Sequence, residues 1–238
     1  MNDDFQPYLA ELKRARPRVH VIIGAITAPF VVDVLAAIGA RPTVTHEAPQ
    51  AAEFAAGADA LLINLAQLDR PRMDGARAAV EAIRQKARSW VLDPAMVQRS
   101  ATRLAFARKL LALSPDVIKL NPEELAALND GDDSPEKLAL KSGGLVFLTG
   151  ARPCLTNGGL TMPLPGLPQL AGQVGYGCAL GAMVAAFLAR ETPQTAIERA
   201  YKAFSLAVAW AGEAGNGPAS FRVAFVDALW RLGEEGTG

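Results

Sequence analysis

Between residues 19 and 150 two hydrophobic patterns alternate along the chain. Short, nearly unbroken apolar runs (VHVII at 19–23, PTVT at 42–45, ALLINL at 60–65, WVLD at 90–93, DVIKL at 116–120 and GLVFLTG at 144–150) read as buried strands. Longer segments lie between them, with apolar positions three and four residues apart: 29–39 ending at Gly39, 48–57 stopping at Gly57, 70–89, and 101–113. NPEELAAL opens a further helix, with Asn121 as its cap and Pro122 in its first turn. Strand–helix alternation of this kind predicts an α/β fold, a mostly parallel central sheet flanked by helices on both faces. From 153 to 163 the pattern changes to two short strands around Asn157-Gly158, a hairpin signal. Beyond 177 the chain reads as an all-helical C-terminal region, with helices starting at Thr192-Pro193 and after Gly217-Pro218. No long linker, low-complexity segment or repeat divides residues 1–238, so one domain is expected.

Composition narrows the function classes. The chain has 238 residues, and 24 Lys and Arg balance 24 Asp and Glu. With no basic stripe or block, nucleic acid is not an expected partner. Cys154 and Cys178 form neither a disulfide framework nor a CxxC pair. His20 and His46 lack metal-ligand spacing with them, so no zinc site is expected. His20, inside an apolar strand, reads as a core histidine; His46 could face solvent or a ligand. The polar N-terminus shows no secretory signal core, and the longest apolar run, 178–189, is too short to cross a bilayer. These features point to a cytoplasmic protein without a membrane partner.

In an open parallel sheet, ligands collect beyond the carboxyl ends of the strands. That places Asn64, Asp93, Lys119, Asn121 and Thr149-Gly150 along one crevice. Asp93 before Pro94 is either a turn residue or a carboxylate for a hydrated Mg²⁺ beside phosphates. Asn121 and Glu124 have capping-box spacing; Glu124 can also be a second acidic anchor. In GYGCALGAMVAAFLA (175–189), Gly175 and Gly177 open a tight turn into a helix whose amino end attracts anions. A thiol at Cys178 is then either a small buried filler or a base with a lowered pKa. No Walker A sequence and no GxGxxG after the first strand is present.

Taken in order, these stretches resemble hydroxyethylthiazole kinases of the ribokinase-like superfamily. The matching segments include VLAAIGARP (34–42), ALLINL (60–65), VLDP (91–94), VIKLNPEELAAL (117–128), LTG (148–150), 175–189 and GPASFRVAFVDALW (217–230). The resemblance implies a ribokinase-like fold and transfer of the ATP γ-phosphate, with Mg²⁺, to the hydroxyethyl arm of 4-methyl-5-(2-hydroxyethyl)thiazole, a thiamine-salvage step. It also implies a homotrimer with active sites between subunits. Carried over residue by residue, it makes Cys178 the catalytic base, and Val44 and Gly175 substrate contacts. Lys119 and Thr149 become ATP contacts, and Asp93 and Glu124 acidic groups near metal and phosphates.

Several ligand-facing positions depart from that pattern. Val21 and Asp33 stand where the family has asparagines, and IIGAIT lacks its Thr-Asn. Ala66-Gln67 replaces a Gly-Thr, AMVQRSA a glycine-rich loop, Tyr176 a threonine, and Lys119 an arginine. Ala151 and Pro153 replace the acidic pair after Thr-Gly. The region between Glu124 and Thr149 is about one helix shorter. Core runs survive while site loops change, so a non-catalytic or altered-specificity relative, binding a nucleotide or another small hydroxylated heterocycle, stands as the alternative to the thiazole kinase.

Overall fold

The computed structural model describes residues 6–170 and 172–233. An N-terminal helix α1 (Gln6–Ala15) precedes β1 (Arg18–Ile22), α2 (Ala28–Ala37), β2 (Arg41–Val44), α3 (Ala48–Gly57), β3 (Ala60–Asn64), α4 (Arg70–Gln85) and β4 (Trp90–Asp93). Then come α5 (Ala101–Leu111), β5 (Val117–Leu120), α6 (Pro122–Leu128), α7 (Pro135–Ser142), β6 (Leu145–Leu148), β7 (Cys154–Thr156) and β8 (Thr161–Pro163). Three helices finish the described chain: α8 (Tyr176–Leu188), α9 (Pro193–Ala214) and α10 (Pro218–Leu232).

The strands form one sheet in the order β2-β1-β3-β4-β5-β6-β7-β8. The first six are parallel, and β7 and β8 continue the sheet antiparallel as the expected hairpin. Each parallel strand inside the sheet is buried on both faces in its centre because helices cover both, while the edge strand β2 stays partly exposed. One core joins α2, α8, α9 and α10 to one face, and a second joins α3, α4, α5, α6 and α7 to the other. This explains the solid rather than alternating apolar runs. α8 is apolar nearly all round because it lies sandwiched between the sheet and α9. Helix α7 carries little periodic signal; Ser134 caps its start and Gly143, at φ 75°, ends it.

His20 is fully buried, with Nδ1 2.9 Å from the Thr43 hydroxyl, as expected of a core histidine. Burial lowers its pKa to about 4, so it is neutral in the fold. Among the described residues no helix is long and apolar enough to cross a membrane.

Candidate active site

Parallel strands end on a common rim, and strand order fixes the sequence of side chains along it. From one edge inward come Val44, the 23–27 loop, Asn64, Asp93, Lys119 with Asn121, and Thr149-Gly150. α8 begins over the middle of this rim and packs on β1, β3 and β4. Register does the finer placing. Asn64 pairs with Asp93 across β3 and β4, so both side chains leave the same face as near neighbours.

At the centre four side chains meet. Lys119 Nζ lies 3.0 Å from Asp93 Oδ2, and both residues are buried, at 5% and 0% exposure. Asn64 Nδ2 donates to the same carboxylate oxygen at 2.7 Å and to Cys178 Sγ at 3.3 Å. The other oxygen, Asp93 Oδ1, is buried without a hydrogen-bond partner. Gly177 and Gly181, one turn apart on α8, make room for this cluster. A Cβ at 177 would already touch Lys119 Nζ at 3.4 Å, and one at 181 would touch Asp93 Oδ2 at 3.5 Å.

Burial pulls the Lys119 ammonium down, but Asp93, Glu124 and Cys178 outweigh it and hold its pKa above the usual value. Glu124 forms the anticipated capping box: Oε2 accepts from Asn121 N and Asn121 Oδ1 accepts from Glu124 N, both at 2.9 Å. Its Oε1 accepts from Met96 N at 2.9 Å, tying the loop after β4 to the start of α6. Burial nevertheless raises its pKa, with Lys119 and the two amides pulling the other way.

Cys178 departs from the sequence expectation. Burial, and then the Asp93 charge, push its pKa up, against the pull of Lys119 and the Asn64 amide. A helix amino end lowers a thiol pKa where the surroundings are electropositive; here burial wins, and the neighbouring Asp93 carboxylate adds to it. The sulfur is half-buried and lies against an amide rather than walled in by hydrocarbon.

A cavity of about 660 Å³ opens on the β5–β6 side, lined among others by Asn121, Thr149, Gly150, Gln173, Gly177 and Tyr201. The size suits a nucleotide-sized ligand. The amide N–H groups of the first turn of α8 have no helical acceptor. Thr149 donates its hydroxyl to Leu120 O at 3.1 Å, so a ligand must compete for that proton. A smaller concavity of about 280 Å³, between α1 and the far end of α8, is remote from this cluster.

Three sequence departures acquire a structural account. Tyr176 does not crowd the centre: its ring is 2% exposed, packed edge-on against Phe30, Phe204, Phe221 and Phe225. Gly24 and Gln67 fit each other. Gln67 Oε1 accepts from Ala25 N at 2.8 Å, and a Cβ at Gly24 would lie 2.5 Å from Gln67 Cβ. Met96 adopts the left-handed conformation, φ 63°, in the loop where the resemblance leads one to expect glycine.

The structure thus brings Asp93, Lys119 and Cys178 together, sets Glu124 beside them, and places Thr149 on the cavity wall. Gly175, at φ 92°, caps α8 against Thr27 and Phe30. Val44 stands apart, 38% exposed at the sheet edge. Asn64, marked from sequence only as a strand-end residue, proves to be the hub. Its signal was the Asn–Asp pair ending adjacent strands.

A parallel sheet with this strand order, an all-helical end and a crevice across the rim defines a ribokinase-like protein. A ribokinase-like superfamily protein from Enterococcus faecalis V583 aligns with a TM-score of 0.68 at 16% identity, covering 99% of this chain and 92% of that one. The hydroxyethylthiazole kinase from Pyrococcus horikoshii OT3 aligns far better, with a TM-score of 0.89 at 28% identity over 95% of this chain and 92% of that one. Hydroxyethylthiazole kinase from Cereibacter sphaeroides is 36% identical over 96% of this chain and 94% of its own length. The model of the hydroxyethylthiazole kinase family matches residues 9–235. The chain belongs to the hydroxyethylthiazole kinase family.

Proposed function

We propose that residues 1–238 act as one catalytic domain that phosphorylates the hydroxyl of 4-methyl-5-(2-hydroxyethyl)thiazole with ATP, a thiamine-salvage reaction. The observation that carries this reading is the half-buried Cys178 sulfur at the amino end of α8, beside a charged Lys119 and next to a nucleotide-sized cavity. ATP fills the cavity near Thr149 and Asn121. Its phosphates meet the free amides of α8, with Lys119 beneath Gly177. The alcohol lies on the other side of Cys178, against the 24–27 loop and Gly175.

In the transfer, the alcohol oxygen bonds the γ-phosphorus while the bond from that phosphorus to the bridging oxygen of ADP breaks. The hydroxyl proton passes to the Cys178 thiolate, which returns it to water. Phosphoryl transfer needs little help from a base before the new bond forms, so positioning and charge supply most of the rate. Because burial raises the pKa of Cys178, the thiolate that accepts the proton is the minority form at neutral pH and a correspondingly stronger base, which suits a late proton transfer.

Mg²⁺ suits the site only in part. Asp93 Oδ1 is a free buried acceptor, while both Glu124 oxygens already hold backbone amides. Among the described residues no cluster of three or more His, Cys, Asp or Glu side chains could hold a metal. Asp93 would therefore hold a largely hydrated ion together with the phosphates, and the ion would neutralise phosphate charge. Val44, exposed on the edge strand, becomes a substrate contact only when a second subunit closes that side, which fits a homotrimer with shared sites.

The test is ADP release with the thiazole alcohol, ATP and Mg²⁺, run with and without EDTA, beside sedimentation of the same protein. Turnover that EDTA abolishes, by a trimer, is expected. Nucleotide binding without turnover of the thiazole alcohol would overturn the reading; turnover of another hydroxylated heterocycle would then mark an altered-specificity kinase, and turnover of none a relative that only binds.

A further inference from the structure

Asn64 touches the two groups on which the proposed transfer depends, and its amide has no freedom left. Both Nδ2 hydrogens are used, one on Asp93 Oδ2 at 2.7 Å and one on Cys178 Sγ at 3.3 Å. Oδ1 accepts from Ala66 N at 3.0 Å. Turning the amide over would set N–H against N–H at Ala66 and leave both acceptors facing oxygen, so its orientation is fixed. The strand below is fixed too, by the β3–β4 register that pairs residue 64 with residue 93. Asn64 is itself 1% exposed, so no water can take over its bonds without a rearrangement.

A charged or an apolar side chain would not replace the amide here. Aspartate would add a carboxylate beside Asp93. Leucine would leave Sγ and Oδ2 without the shared donor. The Lys119 ammonium reaches Asp93 Oδ2 from another strand, so the carboxylate keeps one partner without Asn64. Thr27, at the start of α2, also acts on the sulfur, more weakly than the Asn64 amide, so the placement of the sulfur rests first on Asn64.

We propose that Asn64 is a positioning residue: one immobile amide that spaces the Cys178 sulfur from the Asp93 carboxylate and aims the sulfur at the alcohol oxygen. The proposal rests on the kinase reading above for its catalytic consequence, but not for the state of the sulfur. The distinction from a purely structural role is local. Asn64 borders neither the nucleotide cavity nor α9 and α10, so its loss should leave ATP binding alone.

The experiment compares Asn64→Ala and Asn64→Ser in a Cys154→Ser background, which leaves Cys178 as the one thiol. Steady-state turnover is measured with the thiazole alcohol and ATP, and the rate of Cys178 alkylation by iodoacetamide is measured without substrates at one fixed pH. In Asn64→Ala, kcat should fall roughly ten- to a hundredfold with KM for ATP unchanged, and alkylation should slow several-fold. Serine, a shorter donor, should restore part of both. It also serves if the alanine protein does not fold. Unchanged alkylation in the variant that folds, or a rise in KM for ATP that accounts for the lost activity, would overturn the proposal. If the parent protein fails to turn over the thiazole alcohol, the kinase reading falls while the alkylation comparison still decides whether Asn64 holds the sulfur.

Discussion

On the β5–β6 side of Cys178 the crevice is framed by backbone and by capped helix starts: the Asn121–Glu124 box, the Thr149-Gly150 turn and the first turn of α8. On the β1–β3 side it is framed by a loop latched through two side chains, Gln67 on Ala25 N and Arg72 on Ile23 O, with Ile26 84% exposed at its lip and Val44 beyond. The first half is preformed and keeps Asn121, Glu124 and Thr149-Gly150, but it also carries the replacements at Lys119, Ala151 and Pro153. The second half holds the replacements at Gly24, Ala25 and Gln67. Backbone frameworks recognise what every kinase substrate pair shares, the phosphate chain. Side-chain loops recognise what differs, and these are the positions where sequence can drift without loss of fold.

That contrast can be broken at its centre. Cys178→Ala should lower kcat by about 10²–10⁴ while the melting temperature barely moves. Equal turnover would remove the sulfur from the mechanism. The next effect is acid sensitivity of the β1–β2 side. His20 is neutral when folded with a pKa of about 4, and unfolded histidine titrates near 6.5. The unfolded chain therefore binds the extra proton first. The His20 contribution is complete above pH 6.5 and is lost as pH falls toward about 4, costing about 3 kcal/mol. Denaturant titrations at pH 7 and pH 4.5 measure this, and His20→Gln should flatten the slope.

A smaller pair of changes separates the halves directly. Gln67→Ala, which frees the 24–27 loop, should raise KM for the alcohol about tenfold and leave KM for ATP unchanged; Gly177→Val at the cavity mouth should do the reverse. Two parallel rises would show the halves to be one site energetically. Least of all, Met96→Gly relieves a left-handed non-glycine residue and should stabilise by no more than about 1 kcal/mol, read as a small rise in denaturant midpoint.

Much of the frame could be read from sequence because burial on both faces writes itself as solid apolar runs. Strands β1 to β6, the hairpin, the capping box and the helical end all carried such local signals. α7 did not: its turn of buried residues is brief, Leu138 and Ala139, between polar neighbours. At the site, residue types were legible but their interactions were not. Nothing near Cys178 in sequence reveals its burial or Asp93, which arrives from a strand 85 positions earlier and adds to burial in raising the thiol pKa. Tyr176 looked obstructive beside Gly175, yet helix geometry turns it toward four phenylalanines from α2, α9 and α10. The Gly24–Gln67 fit likewise joins residues 43 positions apart.

The raised pKa of the Cys178 thiol has a consequence beyond phosphate chemistry. Peroxide attacks thiolates, and sulfenic acid is the first rung toward irreversible loss. A sulfur held mostly protonated between an amide and a carboxylate offers oxidants little to attack, so this protein should keep its chemistry through peroxide exposure that disables cysteine enzymes with acidic thiols.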